Sequence, residues 1–341
     1  MLIGLSTVLL VGWLVDMIKP MSTPSPAPRK KPQWQMVGFY ENQTRGDPHP
    51  GSWQTMVHHS SQLTMGSPLW YAVDRNGTVI NTGYDARVVR YAHAHHLAVD
   101  PLFVNAMGRT GVLWHHSTRH RAVRQIAQVV QQEHLDGVNI DFELLNPTSR
   151  DDLSRFIADL PHTLHALHKT VSVSVFPEVS VPHAINGAYD YAALGRSADY
   201  LVLMAYDHHF SGGPPGMVAP YWWVSANVST ALKRVPARHI ILAIGLYGYD
   251  WVNHGSPGRA TTVSDSQAKG LSRRYGVAIH YSSSESQNFF TYKANGVSHI
   301  VYFMGDRSAR ARIALAQSRH LGGVALWRLG YQDTAFWQKA P

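Results

Sequence analysis

Eight short apolar runs, set apart by longer helical patterns, constrain the fold of this chain more than any other feature. They are residues 35–41 (QMVGFYE), 69–73, 97–107, 135–143, 171–176, 200–207, 239–248 and 322–330. Each is of strand length and rich in β-branched or aromatic residues. Helical periodicity fills 119–134, 151–168 and 308–320 between them. Eight strand-then-helix units without a glycine-rich dinucleotide turn predict an α/β chain closed into a (β/α)8 barrel. The seventh connection, about 250–306, is long and holds two further strand-like pieces, 277–281 and 288–293. A small α+β insertion between strands 7 and 8 is expected there.

The start of the chain has a different character. Residues 2–18 are apolar except near Asp16, at the short limit for a bilayer-spanning helix. A Pro/Ser-rich stretch, MSTPSPAPRKKP, then reads as an extended spacer. The expected organisation is an anchor or signal segment at 1–18, a Pro-rich linker at 19–33 and a barrel at 34–341. That places the barrel outside the cytoplasm, held to the membrane by the segment or secreted. The cluster Arg29, Lys30, Lys31 follows the segment rather than preceding it, which opposes simple export under the positive-inside rule.

Composition narrows the chemistry. Hydrophobic residues at 45% and charged residues at 15% allow a large buried core. The absence of cysteine excludes disulfides, thiolate nucleophiles and cysteine-ligated zinc. The 21 histidines often stand as neighbours, as at His58–His59 and His208–His209. Adjacent strand residues face opposite ways, and no HExxH pattern occurs, so neither a metal nor another cofactor is expected. A formal charge of +8 favours an anionic partner. The basic residues are scattered and carry no recognition signature, so nucleic acid is not the expected partner.

The stretch that carries chemistry is Asp136-Gly-Val-Asn139-Ile-Asp141-Phe-Glu143. Strand alternation puts Val138, Ile140 and Phe142 on one face and Asn139, Asp141 and Glu143 on the other. In a barrel the second face points to the axis, which branched apolar side chains normally fill. Burying an amide and two carboxylates there is costly unless they are used. Glu143 falls at the C-terminal end of its strand, where barrel active sites lie.

This octapeptide resembles the DxxDxDxE signature of glycoside hydrolase family 18, which includes chitinases and related N-acetylglucosaminidases, with Asn139 where many members have Asp. The resemblance continues in Met204-Ala-Tyr206-Asp207, similar to the family's MxYD, and in Trp327 of GGVALWRLG. The closing run GGVALWRLGYQDTAFW looks like the branch of bacterial spore-cortex-lytic and cell-wall N-acetylglucosaminidases. No LysM repeat, common in that branch, precedes the barrel.

The resemblance implies substrate-assisted, retaining hydrolysis, in which the substrate's 2-acetamido oxygen replaces a protein nucleophile. Glu143 would protonate the leaving oxygen and then serve as base toward water. Asp141 would orient the acetamido group, and Tyr206 would donate to its carbonyl. Asp136 and Asn139 would support the pair. Trp327 would stack on the sugar, with Met204, Asp207 and Tyr40 lining the same pocket. The expected substrate is a polysaccharide such as peptidoglycan, favoured by the basic charge, or chitin. A barrel that binds carbohydrate without cleaving it, and a histidine-ligated metal hydrolase such as a deacetylase, are the competing readings. Retention of Glu143 opposes the first.

Overall fold

A computed structural model describes residues 34–43, 51–106, 111–252, 260–332 and 334–338. The segments expected to be an anchor and a linker lie outside the described residues. Among the described residues no helix is long and apolar enough to cross a membrane.

The first half of the chain runs through β1 (Gln35–Tyr40), α1 (Ser52–His59), β2 (Met65–Val73), β3 (Val79–Asn81), α2 (Ala86–Ala94), β4 (Ala98–Val99), β5 (Leu102–Asn105), α3 (Gly111–Trp114), α4 (His116–Gln132) and β6 (Gly137–Asp141). It continues with α5 (Arg150–Leu164), β7 (Thr170–Val175), α6 (His183–Asn186), α7 (Tyr191–Ser197), β8 (Tyr200–Met204), α8 (Tyr221–Leu232) and β9 (Ile240–Gly245). The remainder is β10 (Tyr247–Val252), β11 (Thr261–Ser264), α9 (Asp265–Tyr275), β12 (His280–Ser282), β13 (Gln287–Ala294), β14 (Val297–Phe303), α10 (Asp306–Ser318), β15 (Gly323–Trp327) and α11 (Thr334–Gln338).

Strands β1, β2, β5, β6, β7, β8, β9 and β15 pair in parallel, and β1 bonds both β2 and β15, so the sheet closes on itself. This is the (β/α)8 barrel that the eight apolar runs predict. The third run is broken, because Pro101 cannot donate to a ladder and separates β4 from β5.

The strands bury both faces. Val37, Phe39, Val202, Met204, Ile241 and Ala325 pack along the axis. Val138, Ile140 and Phe142 face outward into the layer between sheet and helices, where Phe142 stacks on Phe156 of α5 at 5.4 Å. Gly137 is needed at the start of β6, since a Cβ there would overlap Thr170 of β7 and Asp100.

The second sheet is antiparallel, in the order β11-β10-β14-β13-β12. It leaves the barrel straight after β9, where Leu246 N–H donates to Trp327 O at 2.7 Å. Its own core is Val263, Ala268, Phe290, Tyr292, Val301 and Phe303. Ser264 and Gln267 form a capping box at the start of α9, and Gly276 ends it with φ 64°. The sheet occupies Tyr247 to Phe303, a few residues earlier at each end than the expected 250–306.

Candidate active site

At the C-terminal end of the barrel lies a cavity of about 210 Å³. That is smaller than the ~300–1,000 Å³ of a pocket enclosing a whole drug-sized ligand, so it suits one ring of a longer substrate. Asp141 and Glu143 enter it from β6 and the residues just beyond, Ser174 from β7, and Met204, Tyr206 and Asp207 from the end of β8. Phe39 of β1, Tyr247 of β10 and Trp327 of β15 complete the wall. Phe39 meets Trp327 edge-on at 5.3 Å, which holds the indole face across the cavity.

The site is built by alternation. Val138 and Ile140 on β6, and Phe142 just beyond it, are fully sunk in the helix layer, which turns Asn139, Asp141 and Glu143 inward. Asp141 is 7% exposed, and its Oδ1 has no hydrogen-bond partner. Burial pushes its carboxyl above the usual range, partly offset by the Ser174 hydroxyl. Glu143 is raised further: burial leads, and the negative charges of Asp141 and Asp207 add to it. A carboxyl held protonated toward neutral pH beside one that ionises first is the arrangement general acid catalysis needs.

Asp207 adopts φ 61° where β8 ends, and its Oδ1 accepts from Tyr247 Oη at 2.5 Å and Tyr249 Oη at 2.9 Å. Burial raises its carboxyl, and the two phenols pull it back down. Tyr206 is pushed well above its ordinary range by burial and then by Asp141, Glu143 and Asp207, so it remains a neutral hydroxyl donor.

The structure therefore brings Asp141, Glu143, Met204, Tyr206, Asp207 and Trp327 to one cavity. Asn139 lies deeper, 3% exposed, and its Oδ1 accepts from Ser174 Oγ at 2.9 Å, so it reaches the cavity through that serine.

Two residues stand elsewhere. Asp136 is at the opposite end of β6, where its Oδ2 accepts from Val99 N at 2.9 Å and meets His93 Nε2 at 2.8 Å. Tyr40 faces the outer core and packs against Trp70 at 6.4 Å, because the inward residue at this level of β1 is Phe39. Three wall residues, Phe39, Ser174 and Tyr247, carry no motif. The alternation of 171–175 (VSVSV) could have singled out Ser174. Among the described residues no three His, Asp or Glu side chains converge on a cation position.

The model of glycosyl hydrolases family 18 matches residues 108–332. The chain is 30% identical over 242 residues to the cortical fragment-lytic enzyme of Bacillus subtilis (strain 168), covering 69% of this chain and 56% of that protein. The spore cortex-lytic enzyme SleL of Bacillus megaterium QM B1551 superposes with a TM-score of 0.82 at 25% identity, over 92% of this chain and 74% of that one. A chitinase from Chromobacterium violaceum ATCC 12472 superposes equally well, TM-score 0.82 at 27% identity, over 89% of this chain and 97% of that one. The chain spans about half the length of the first curated relatives it matches.

Proposed function

This chain belongs to family 18 of the glycosyl hydrolases, and from that premise we propose that it cleaves glycosidic bonds next to N-acetylglucosamine-type residues of peptidoglycan, with retention and with the substrate's acetamido group as nucleophile. The observation that carries the reading is buried Asp141 beside half-buried Glu143, both facing one ring-sized cavity walled by Trp327.

Glu143 gives its proton to the glycosidic oxygen as the bond to the anomeric carbon breaks. Asp141 and Tyr206 hold the acetamido group, so that its carbonyl oxygen closes on that carbon from the opposite face. The ionised Asp141 stabilises the positive charge of the resulting oxazolinium ring. Glu143, now a carboxylate, takes a proton from the water that reopens the ring. Trp327 and Phe39 exclude bulk water and present a flat apolar face to the sugar. Asn139 accepts the Ser174 hydroxyl beside Asp141 without adding charge, so the titrating groups that face the cavity are Asp141, Glu143 and Asp207.

Peptidoglycan is favoured by the net charge of +8 and by the similarity to cortex-lytic proteins. A second reading, action on chitin oligomers, is favoured by the match that spans nearly all of the Chromobacterium chitinase. The barrel works outside the cytoplasm, and residues 1–18 serve as its membrane anchor or export segment.

Digestion of purified peptidoglycan and of chitin oligomers, with released sugars identified by mass, separates the two. Fragments ending in reducing N-acetylglucosamine, formed faster from peptidoglycan, are expected. Faster release from chitin oligomers selects the second reading. Binding to either polymer without release of any fragment would make this a carbohydrate-binding barrel.

A further inference from the structure

Glu143 stands beyond the end of its strand. The pairing of β5 with β6 stops at Val104 and Asp141, and at Leu144 the chain turns with φ 51°. The main-chain N–H and C=O of Glu143 thus have no ladder partner, although buried polar groups of this kind need one. Asn105, at the end of β5 and 6% exposed, supplies both. Its Oδ1 accepts from Glu143 N at 2.8 Å, and its Nδ2 donates to Glu143 O at 2.8 Å. The preceding carbonyl, Phe142 O, accepts from Tyr189 Oη at 2.7 Å.

We infer that Asn105 is a positioning residue for the general acid: its side-chain amide replaces the missing strand, fixes the backbone of Glu143 and so aims the carboxyl at the scissile oxygen. Only an amide of this length carries a donor and an acceptor side by side. Asp keeps the acceptor and loses the donor, and Ala loses both. Asn105 does not line the cavity, so it acts through Glu143 and not on the sugar. The inference rests on Glu143 being the acid.

The test measures kcat/KM of the full chain on two N-acetylglucosamine oligomers of equal length, one with a sugar leaving group and one with 2,4-dinitrophenolate, which departs without a proton. Wild type, Asn105→Ala, Asn105→Asp, Glu143→Gln and the Asn105→Ala/Glu143→Gln double variant are compared. Asn105→Asp is nearly isosteric and keeps one of the two bonds, so it guards against a variant that fails to fold.

Asn105→Ala should lose about 10–100-fold on the sugar leaving group and little on dinitrophenolate, with Asn105→Asp between it and wild type. The double variant should be no worse than Glu143→Gln. Equal losses on both leaving groups, no loss on either, or a further loss in the Glu143→Gln background would overturn the inference. Full activity of Glu143→Gln on the sugar leaving group would instead remove the acid assignment, and the inference with it.

Discussion

The two ends of the barrel hold the same kinds of side chain and use them in opposite ways. At the N-terminal end, Asp136 takes Val99 N–H and His93, and Asp199 takes Val171 N–H at 2.9 Å and His165 at 2.9 Å. These carboxylates tie strand starts to neighbouring elements. At the C-terminal end, Asp141 and Glu143 are aimed into a cavity, and Asp141 Oδ1 has no partner. A raised carboxyl is not what separates the ends. Burial also pushes Asp100, at the N-terminal end, up to about 7; Thr170 bonds its Oδ2, and its Oδ1, like that of Asp141, has no hydrogen-bond partner. What marks the site is the cavity that Asp141 and Glu143 line, at the C-terminal end where barrels place their active sites.

The contrast breaks most sharply at Glu143. Glu143→Gln should keep the fold and lose about 10²–10⁴-fold in turnover, since the amide cannot deliver a proton. Its stability should move the other way. The folded state raises this carboxyl above its unfolded value, so the protonated form is favoured by folding. The stabilisation is complete below the unfolded pKa and is lost as pH rises through the folded one. Melting curves from pH 4 to pH 8 should therefore show the variant gaining on wild type as pH rises. A gap that closes with rising pH would mean that Glu143 is not held protonated.

Asp141→Asn should lower turnover more than it raises the Michaelis constant, because the charge acts on the oxazolinium and not on the bound substrate. It should also move the alkaline limb of kcat/KM to lower pH. The Asp141 anion helps to raise Glu143, and removing it lets Glu143 lose its proton sooner. A limb that stays in place would uncouple the two carboxyls.

Asp136→Asn sharpens the comparison from the other end. It weakens a charge-assisted tie and should cost about 1–3 kcal/mol in stability, read from denaturant unfolding, with kcat close to wild type. A selective loss of kcat would return Asp136 to the catalytic machinery.

The smallest effect is expected from removing residues 1–32. A chain starting near Gln33 should be soluble and should hydrolyse soluble oligosaccharides as the full chain does, while only the full chain sediments with membranes. Loss of activity in the shorter chain would give the first residues a part in the barrel.

The sequence made β6 legible because carboxylates at alternate positions inside an apolar run have no cheaper explanation than use. The same rule failed at β1. Residues 35–40 (QMVGFY) are buried on both faces, so nothing in the pattern tells Phe39, which points inward, from Tyr40, which does not. Asp136 was legible as part of a motif but not as the opposite end of a strand, since a motif carries spacing and not the length of the barrel. The 239–248 run hid a boundary: β9 and β10 are separated by Leu246 alone, and its turn depends on a bond to Trp327, distant in sequence. Tyr247 follows that turn, so its place in the wall is hidden for the same reason. Asn105 likewise had no signal of its own, because its partners are the main-chain atoms of Glu143.

The acetamido group is the nucleophile in this scheme, and its nucleophilicity can be varied without touching the protein. The decisive measurement is kcat/KM on aryl N-acetylglucosamine oligomers whose acetyl group at the cleavage site is replaced by mono-, di- and trifluoroacetyl. Each fluorine withdraws electrons from the carbonyl oxygen that must attack the anomeric carbon. A steep stepwise fall in rate across the series is the expected result. A flat series would place the nucleophile on the protein or on water and contradict the substrate-assisted mechanism.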